Sequence, residues 1–147
     1  MPVKTKILVV DDEASVALMI VFLLTRAGYD AHMAWGAERA LRLAQTEKFD
    51  LVTSDIDMPG INGFELFRRL KEIPHLKETP VVFISGNATI ENQQYALDLG
   101  AKDFIEKPFG VEDFLPRIFS CLNKTSGPSD VLDERADANA QSLCNAP

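Results

Sequence analysis

The 147-residue sequence predicts a doubly wound α/β domain, a five-stranded parallel sheet with helices on both faces. Two observations carry this. The apolar period switches between strand-like and helix-like five times in succession within about 120 residues. The strand-like stretches are short, continuous and rich in β-branched residues, as in strands buried on both faces, and parallel strands need crossovers that are most often helices.

Ile7, Leu8, Val9 and Val10 form the first strand, ending at Asp11 and Asp12. A helix over residues 13–27 carries Val16, Met19, Ile20, Leu23 and Leu24 at helical spacing, with Gly28 as its stop. Residues 29–34 form a second strand; 36–48 a second helix, with Ala37, Ala40, Leu41 and Ala44 on one face; 49–54 a third strand, before Asp55. The stretch Asp57-Met58-Pro59-Gly60 is a turn, and Phe64, Leu66, Phe67 and Leu70 then begin a helix that fades before Pro74. The run Val81-Val82-Phe83-Ile84 is the fourth strand, closed by Ser85 and Gly86. Thr89 caps a helix running through Leu99, whose apolar side is Ile90, Ala96, Leu97 and Leu99 and whose stop is Gly100. Residues 103–106 are the fifth strand, and 111–122 the last helix, with Phe114, Leu115, Ile118, Phe119 and Leu122. Pro116 implies that this helix either kinks or begins later.

Fifteen basic against 22 acidic residues give a net charge of −7, the wrong sign for a broad nucleic-acid-binding surface. The opening residues show no signal peptide and no run approaches a membrane-spanning length, so a soluble cytoplasmic protein is expected. Cys121 and Cys144 are too few to staple a core and have no metal-ligand spacing, and both are read as plain thiols. Residues 123–147 are small, polar and acidic, including Asp130, Asp133, Glu134 and Asp137, and are expected to be a disordered tail or a truncated linker after a domain over 1–122. Trp35 is read as packing at its loop, and His32 and His75 make no ligand set.

In a doubly wound domain, function lies at the carboxyl ends of the strands. Strand one ends in Asp11 and Asp12, strand three in Asp55, strand four in Ser85, and Lys107 follows strand five. Parallel strands bring all five groups to one rim. Three crowded carboxylates repel one another unless a cation intervenes, and Mg²⁺ is the natural one, a hard ion that takes carboxylate oxygens. A lysine and a hydroxyl opposite would suit a phosphoryl group. Taken singly each acid reads equally well as a cap or a turn residue; jointly, at successive strand ends, they do not.

These motifs, VVDDE, SDIDMPG, FISG and EKPFG, resemble the receiver domain of two-component response regulators, closest in form to the stand-alone chemotaxis type, over about Lys4 to Leu122. The resemblance implies a (βα)5 flavodoxin-like sheet of strand order 2-1-3-4-5. It implies Asp55 as phosphoacceptor, with Ser85 and Lys107 assisting. It also implies Mg²⁺, with Mn²⁺ a substitute, on Asp11, Asp12, Asp55 and the backbone carbonyl of Asp57. Phe104 matches an aromatic that turns inward on activation as the Ser85 hydroxyl swings to the phosphoryl group, and Lys107-Pro108 matches a cis peptide, where sequence alone favours trans. Asp57, Met58, Gly86, Asn87 and Pro108 are secondary neighbours of the phosphoryl site. Gly86 would allow close backbone approach there, and Asp57 would either repel the phosphoryl group or order a water. The implied partners are a sensor histidine kinase or histidine phosphotransfer protein, a downstream protein, and in some relatives a second copy on phosphorylation. The chain would be a self-phosphorylating acceptor with autodephosphorylation rather than a turnover enzyme.

Two other readings compete. Asp55-Ile56-Asp57 also resembles the D-x-D of haloacid-dehalogenase-type phosphatases, but that motif normally opens the domain on its first strand. A receiver-like module binding partners without phosphorylation uses the same fold. A dinucleotide-binding domain lacks its glycine-rich loop here.

Overall fold

The computed structural model describes residues 3–123. The expected tail or linker lies outside the described residues except for Asn123, as does Cys144. Five strands, β1 (Lys6–Val10), β2 (Asp30–Ala34), β3 (Leu51–Ser54), β4 (Val81–Ser85) and β5 (Asp103–Glu106), form one sheet in the order β2-β1-β3-β4-β5, every pairing parallel. The helices are α1 (Ala14–Arg26), α2 (Ala37–Thr46), α3 (Gly63–Lys71), α4 (Ile90–Leu99) and α5 (Val111–Asn123), with a single 3₁₀ turn over Pro74–Leu76.

Alternation along each strand divides the core into two layers. Ile7 and Val9 of β1, with Val82 and Ile84 of β4, pack against Ala17, Ile20 and Leu24 of α1 and Phe114, Ile118 and Cys121 of α5. Leu8, Val10, Val81 and Phe83 face the other way, toward the alanines of α2, Leu66, Phe67 and Leu70 of α3, and Ala96 of α4. Both faces are covered, so β1 and β4 are apolar without a break over Ile7 to Val10 and Val81 to Ile84.

The expected caps are present: Thr89 Oγ1 accepts the Asn92 amide at 3.0 Å, and Gly100 closes α4 at φ +115°. The expected apolar faces are less well kept. Met19 points to solvent beside Leu18 and Phe22, because the sheet takes the stripe through Ala17, Ile20 and Leu24. In α4 only Ala96 is buried, while Ile90 and Leu97 are exposed. Phe119 is likewise exposed, and Trp35, expected to pack, is 53% exposed. Pro116 sits inside α5, which begins at Val111 and does not start late. Pro116 is exposed, as is Glu112, whose carbonyl loses the amide partner that proline lacks.

The segment after β3 is held by Gly63, the first residue of α3, whose amide donates to the Ile56 carbonyl at 2.8 Å. A Cβ on Gly63 would lie 2.1 Å from the Asp55 carbonyl oxygen and 2.9 Å from Ile56 Cα, both backbone atoms that cannot swing aside. Gly63→Ala should therefore cost about 1–3 kcal/mol by urea unfolding, since overpacking forces a backbone shift. An unchanged midpoint would show that the start of α3 moves freely.

Candidate acidic and phosphoryl-binding site

The parallel register brings the ends of β1, β3 and β5 together. Asp11 and Asp12 leave β1, Asp55 leaves β3, and each presents one carboxylate oxygen within 4.8 Å of the others. Asp11 and Asp55 are buried, and Asp12 is exposed. Lys107, beyond β5, donates from Nζ to Asp11 Oδ2 at 2.9 Å and to Asp55 Oδ2 at 3.1 Å. The remaining oxygens of the buried pair are fixed locally: the Glu13 amide donates to Asp11 Oδ1 at 2.9 Å, and the Ile56 amide to Asp55 Oδ1 at 2.7 Å. The Lys107-Pro108 peptide is cis, as the resemblance implied, and the Lys107 amide donates to the Ser85 carbonyl at 3.0 Å.

One ammonium against three carboxylates leaves the cluster with excess negative charge. Burial pushes the Asp11 carboxyl above its usual range; the Glu13 amide and Lys107 oppose this, and the charge of Asp55 adds to it. Burial alone would weaken the Lys107 ammonium, but its hydrogen bond to Asp11 and the charge of Asp55 outweigh this and hold its pKa above the ordinary lysine value. The donor set fits a hard divalent cation, being all oxygen, anionic, and open to water on the side of Asp12.

Ser85 and Asn87 form the opposite wall. The buried Ser85 Oγ accepts the Asn87 amide at 3.1 Å, Asn87 Nδ2 donates to Asp57 Oδ2 at 3.0 Å, and Asn92 Nδ2 donates to the Asn87 carbonyl at 2.9 Å. This chain ties the loop after β4 to the loop after β3, and it occupies one oxygen of the Asp57 side chain. Met58 is buried in the core below. A Cβ on Gly86 would meet no protein atom within 4 Å, so the space beside it is open. Phe104 is 7% exposed and packs against Phe83 with ring centroids 6.5 Å apart. Phe83 in turn meets Phe64 at 5.3 Å, and Phe64 meets Tyr95 at 4.7 Å, edge to face.

Sequence reasoning missed Gly63, Asn92, and Ser54, whose hydroxyl donates to the Asp55 carbonyl at 2.8 Å. Only the start of α3 left a readable trace, in Asn62 capping the Glu65 amide at 2.9 Å with the cap-to-glutamate spacing of a capping box.

Removing the lysine leaves two low-exposure carboxylates facing each other. Lys107→Ala should lose about 1–3 kcal/mol of stability at pH 7 without divalent metal, as an unsatisfied buried charge does. Because burial raises the Asp11 carboxyl and the variant lacks the lysine that opposes this, Asp11 holds its proton to higher pH when folded than when unfolded, and the deficit should shrink as pH falls toward 4.5. A deficit independent of pH in urea titrations would contradict this electrostatic account.

The response regulator receiver domain family model matches residues 7–119. The chain is 36% identical over 124 residues to the phosphate regulon transcriptional regulatory protein PhoB of Pseudomonas aeruginosa, covering 84% of this chain and 54% of that protein. It is 33% identical over 120 residues to response regulator ArlR of Staphylococcus saprophyticus, covering 82% of this chain and 53% of that one. The chain thus spans about half the length of the curated relatives it matches. Among solved structures, chemotaxis protein CheY4 of Vibrio cholerae superposes with a TM-score of 0.77 at 31% identity, over 81% of this chain and 99% of that one. A CheY-like receiver domain protein of Methanospirillum hungatei gives 0.78 at 27% identity, over 84% and 98%.

Proposed function

The chain belongs to the response regulator receiver domain family, and on that premise we propose that Asp55 accepts a phosphoryl group from a histidine kinase or histidine phosphotransfer protein and thereby alters a partner-binding surface. Membership makes it a regulatory phosphoacceptor module rather than a turnover enzyme. The observation that carries the proposal is the pairing of Lys107 with both Asp11 and Asp55 beside a third acid.

In the transfer, an Asp55 carboxylate oxygen attacks phosphorus in line. The phosphorus–nitrogen bond to the donor histidine breaks, and its electron pair returns to the imidazole. Lys107 Nζ, already bound to Asp55 Oδ2, is positioned to follow charge onto the transferring phosphoryl oxygens. Asp11, Asp12, Asp55 and the Asp57 backbone carbonyl would hold Mg²⁺, with Mn²⁺ a substitute, and the bound ion would supply neutralisation of phosphoryl charge. The Ser85 hydroxyl, now accepting from the Asn87 amide, would be drawn to the phosphoryl group, releasing the Asn87–Asp57 bridge and the start of α4 with it.

The donor would dock on α1, which begins directly after the acid pair and exposes Leu18, Met19 and Phe22 toward solvent. Among the described residues no helix is long and apolar enough to cross a membrane. We read residues 1–122 as the receiver unit and 123–147 as a tail or linker, with exchange in the cytoplasm. The output partner would be a protein, and a second copy is one such partner.

Intact-mass spectrometry with peptide mapping, after incubation with acetyl phosphate and Mg²⁺, should give a single base-labile phosphoryl addition on Asp55 that vanishes with EDTA and in Asp55→Asn. No addition to folded protein, from either acetyl phosphate or a kinase, would leave a phosphorylation-independent binding module as the better reading. Phe22→Ser should slow transfer from a protein donor by roughly tenfold, as loss of a buried aromatic anchor does, while leaving acetyl phosphate labelling unchanged. Equal slowing with both donors would place Phe22 in the fold rather than in docking.

A further inference from the structure

At the end of the sheet opposite the acid cluster, where the chain enters β4, lies a cavity of about 430 Å³, within the size range of small-molecule pockets. We propose that it binds a nucleoside phosphate, with the phosphates held by Lys71, Lys77 and Lys102.

The three lysines come from three separate segments: the last turn of α3, the approach to β4 and the connection from α4 to β5. Glu78 is the one acid among the lining residues, giving the cavity two net positive charges in a chain of net charge −7. None of the three ammonium groups forms an ion pair among the described residues. Other part-buried cations are matched: Lys107 by Asp11 and Asp55, and Arg117 by Asp103.

Lys71 is the informative member. It is half-buried, donates to the Thr79 carbonyl, and lies 5.4 Å from the centroid of the Phe67 ring. Burial pushes its pKa down; Glu78 opposes this, and the nearby charge of Lys102 adds to it. A half-buried ammonium whose partners are a neutral carbonyl and a ring face lacks a full counter-charge, and an anion placed between it and Lys102 would restore what desolvation cost. Several phosphate charges suit three lysines better than one carboxylate does.

The remaining wall gives a ring a small apolar edge to lie against. Phe67, Pro80 and Leu99 supply apolar surface on the same cavity, and Gly100, held at φ +115° without a side chain, leaves the rim open beside Phe67. Nothing in this assignment depends on phosphorylation of Asp55.

The test is a ¹H–¹⁵N NMR titration of the full chain with ADP, AMP and inorganic pyrophosphate, in EDTA so that no metal carries phosphate to the acid cluster. ADP should shift the amides of Lys71, Thr79, Gly100 and Lys102 saturably with Kd below about 1 mM. Lys71→Gln and Lys102→Gln should each weaken this by roughly tenfold, as loss of a charge-assisted contact does. Lys77→Gln, at an exposed position safe for folding, should weaken it in the same direction. Absence of saturable shifts up to about 10 mM, shifts indifferent to all three variants, or shifts centred on Asp11 and Asp55 would overturn the site. Pyrophosphate binding as tightly as ADP would overturn the role given to the apolar wall.

Discussion

The Lys107 ammonium lies between Asp11 and Asp55, and the arrangement of the rim depends on that contact. Two carboxylates of low exposure cannot both stay ionised this close without a cation, because their repulsion would cost the folded state stability. The lysine arrives from 52 residues beyond one partner and 96 beyond the other, so the contact also records that β1, β3 and β5 are parallel and correctly ordered. The fold makes the pair possible, and the pair leaves the site short of positive charge. That shortage suits a divalent metal.

Around this pair the molecule divides its work by hydrogen bonding. Local backbone amides, from Glu13 and Ile56, fix the inner oxygens of the two acids and need no distant partner. The outer wall is held differently, by the run from the Ser85 hydroxyl and the Asn87 amide to the single side-chain bond between Asn87 and Asp57 that joins the two loops. A group competing for the Ser85 hydroxyl therefore acts on a connection that can be broken without disturbing the sheet. The aromatic series from Phe104 through Phe83 and Phe64 to Tyr95 gives the interior a packed route from β5 to the seam between α3 and α4. Close-packed rings transmit a shift in one member to the next.

Much of this was legible in advance for reasons that are local. Ile7 to Val10 and Val81 to Ile84 announce buried parallel strands because both faces are apolar, and Gly100 announces a helix end because a left-handed residue is wanted there. The site acids were legible because they stand immediately after such strands. The exposed faces were not. Met19 and Leu97 obey helical periodicity as well as Ile20 and Ala96 do, and which stripe turns inward depends on where the sheet lies under the helix.

By itself the sequence determined the order of elements, the doubly wound class, and which residue types stand at the strand ends, since each depends on neighbours a few positions apart. The tertiary structure alone decided that Lys107 reaches both Asp11 and Asp55, that Asn87 bridges the loops after β3 and β4, and that Gly63 must lack a side chain. It also placed Lys71, Lys77 and Lys102 around one cavity. These are distances between residues far apart in the chain, fixed by sheet register and helix docking, which no local pattern encodes.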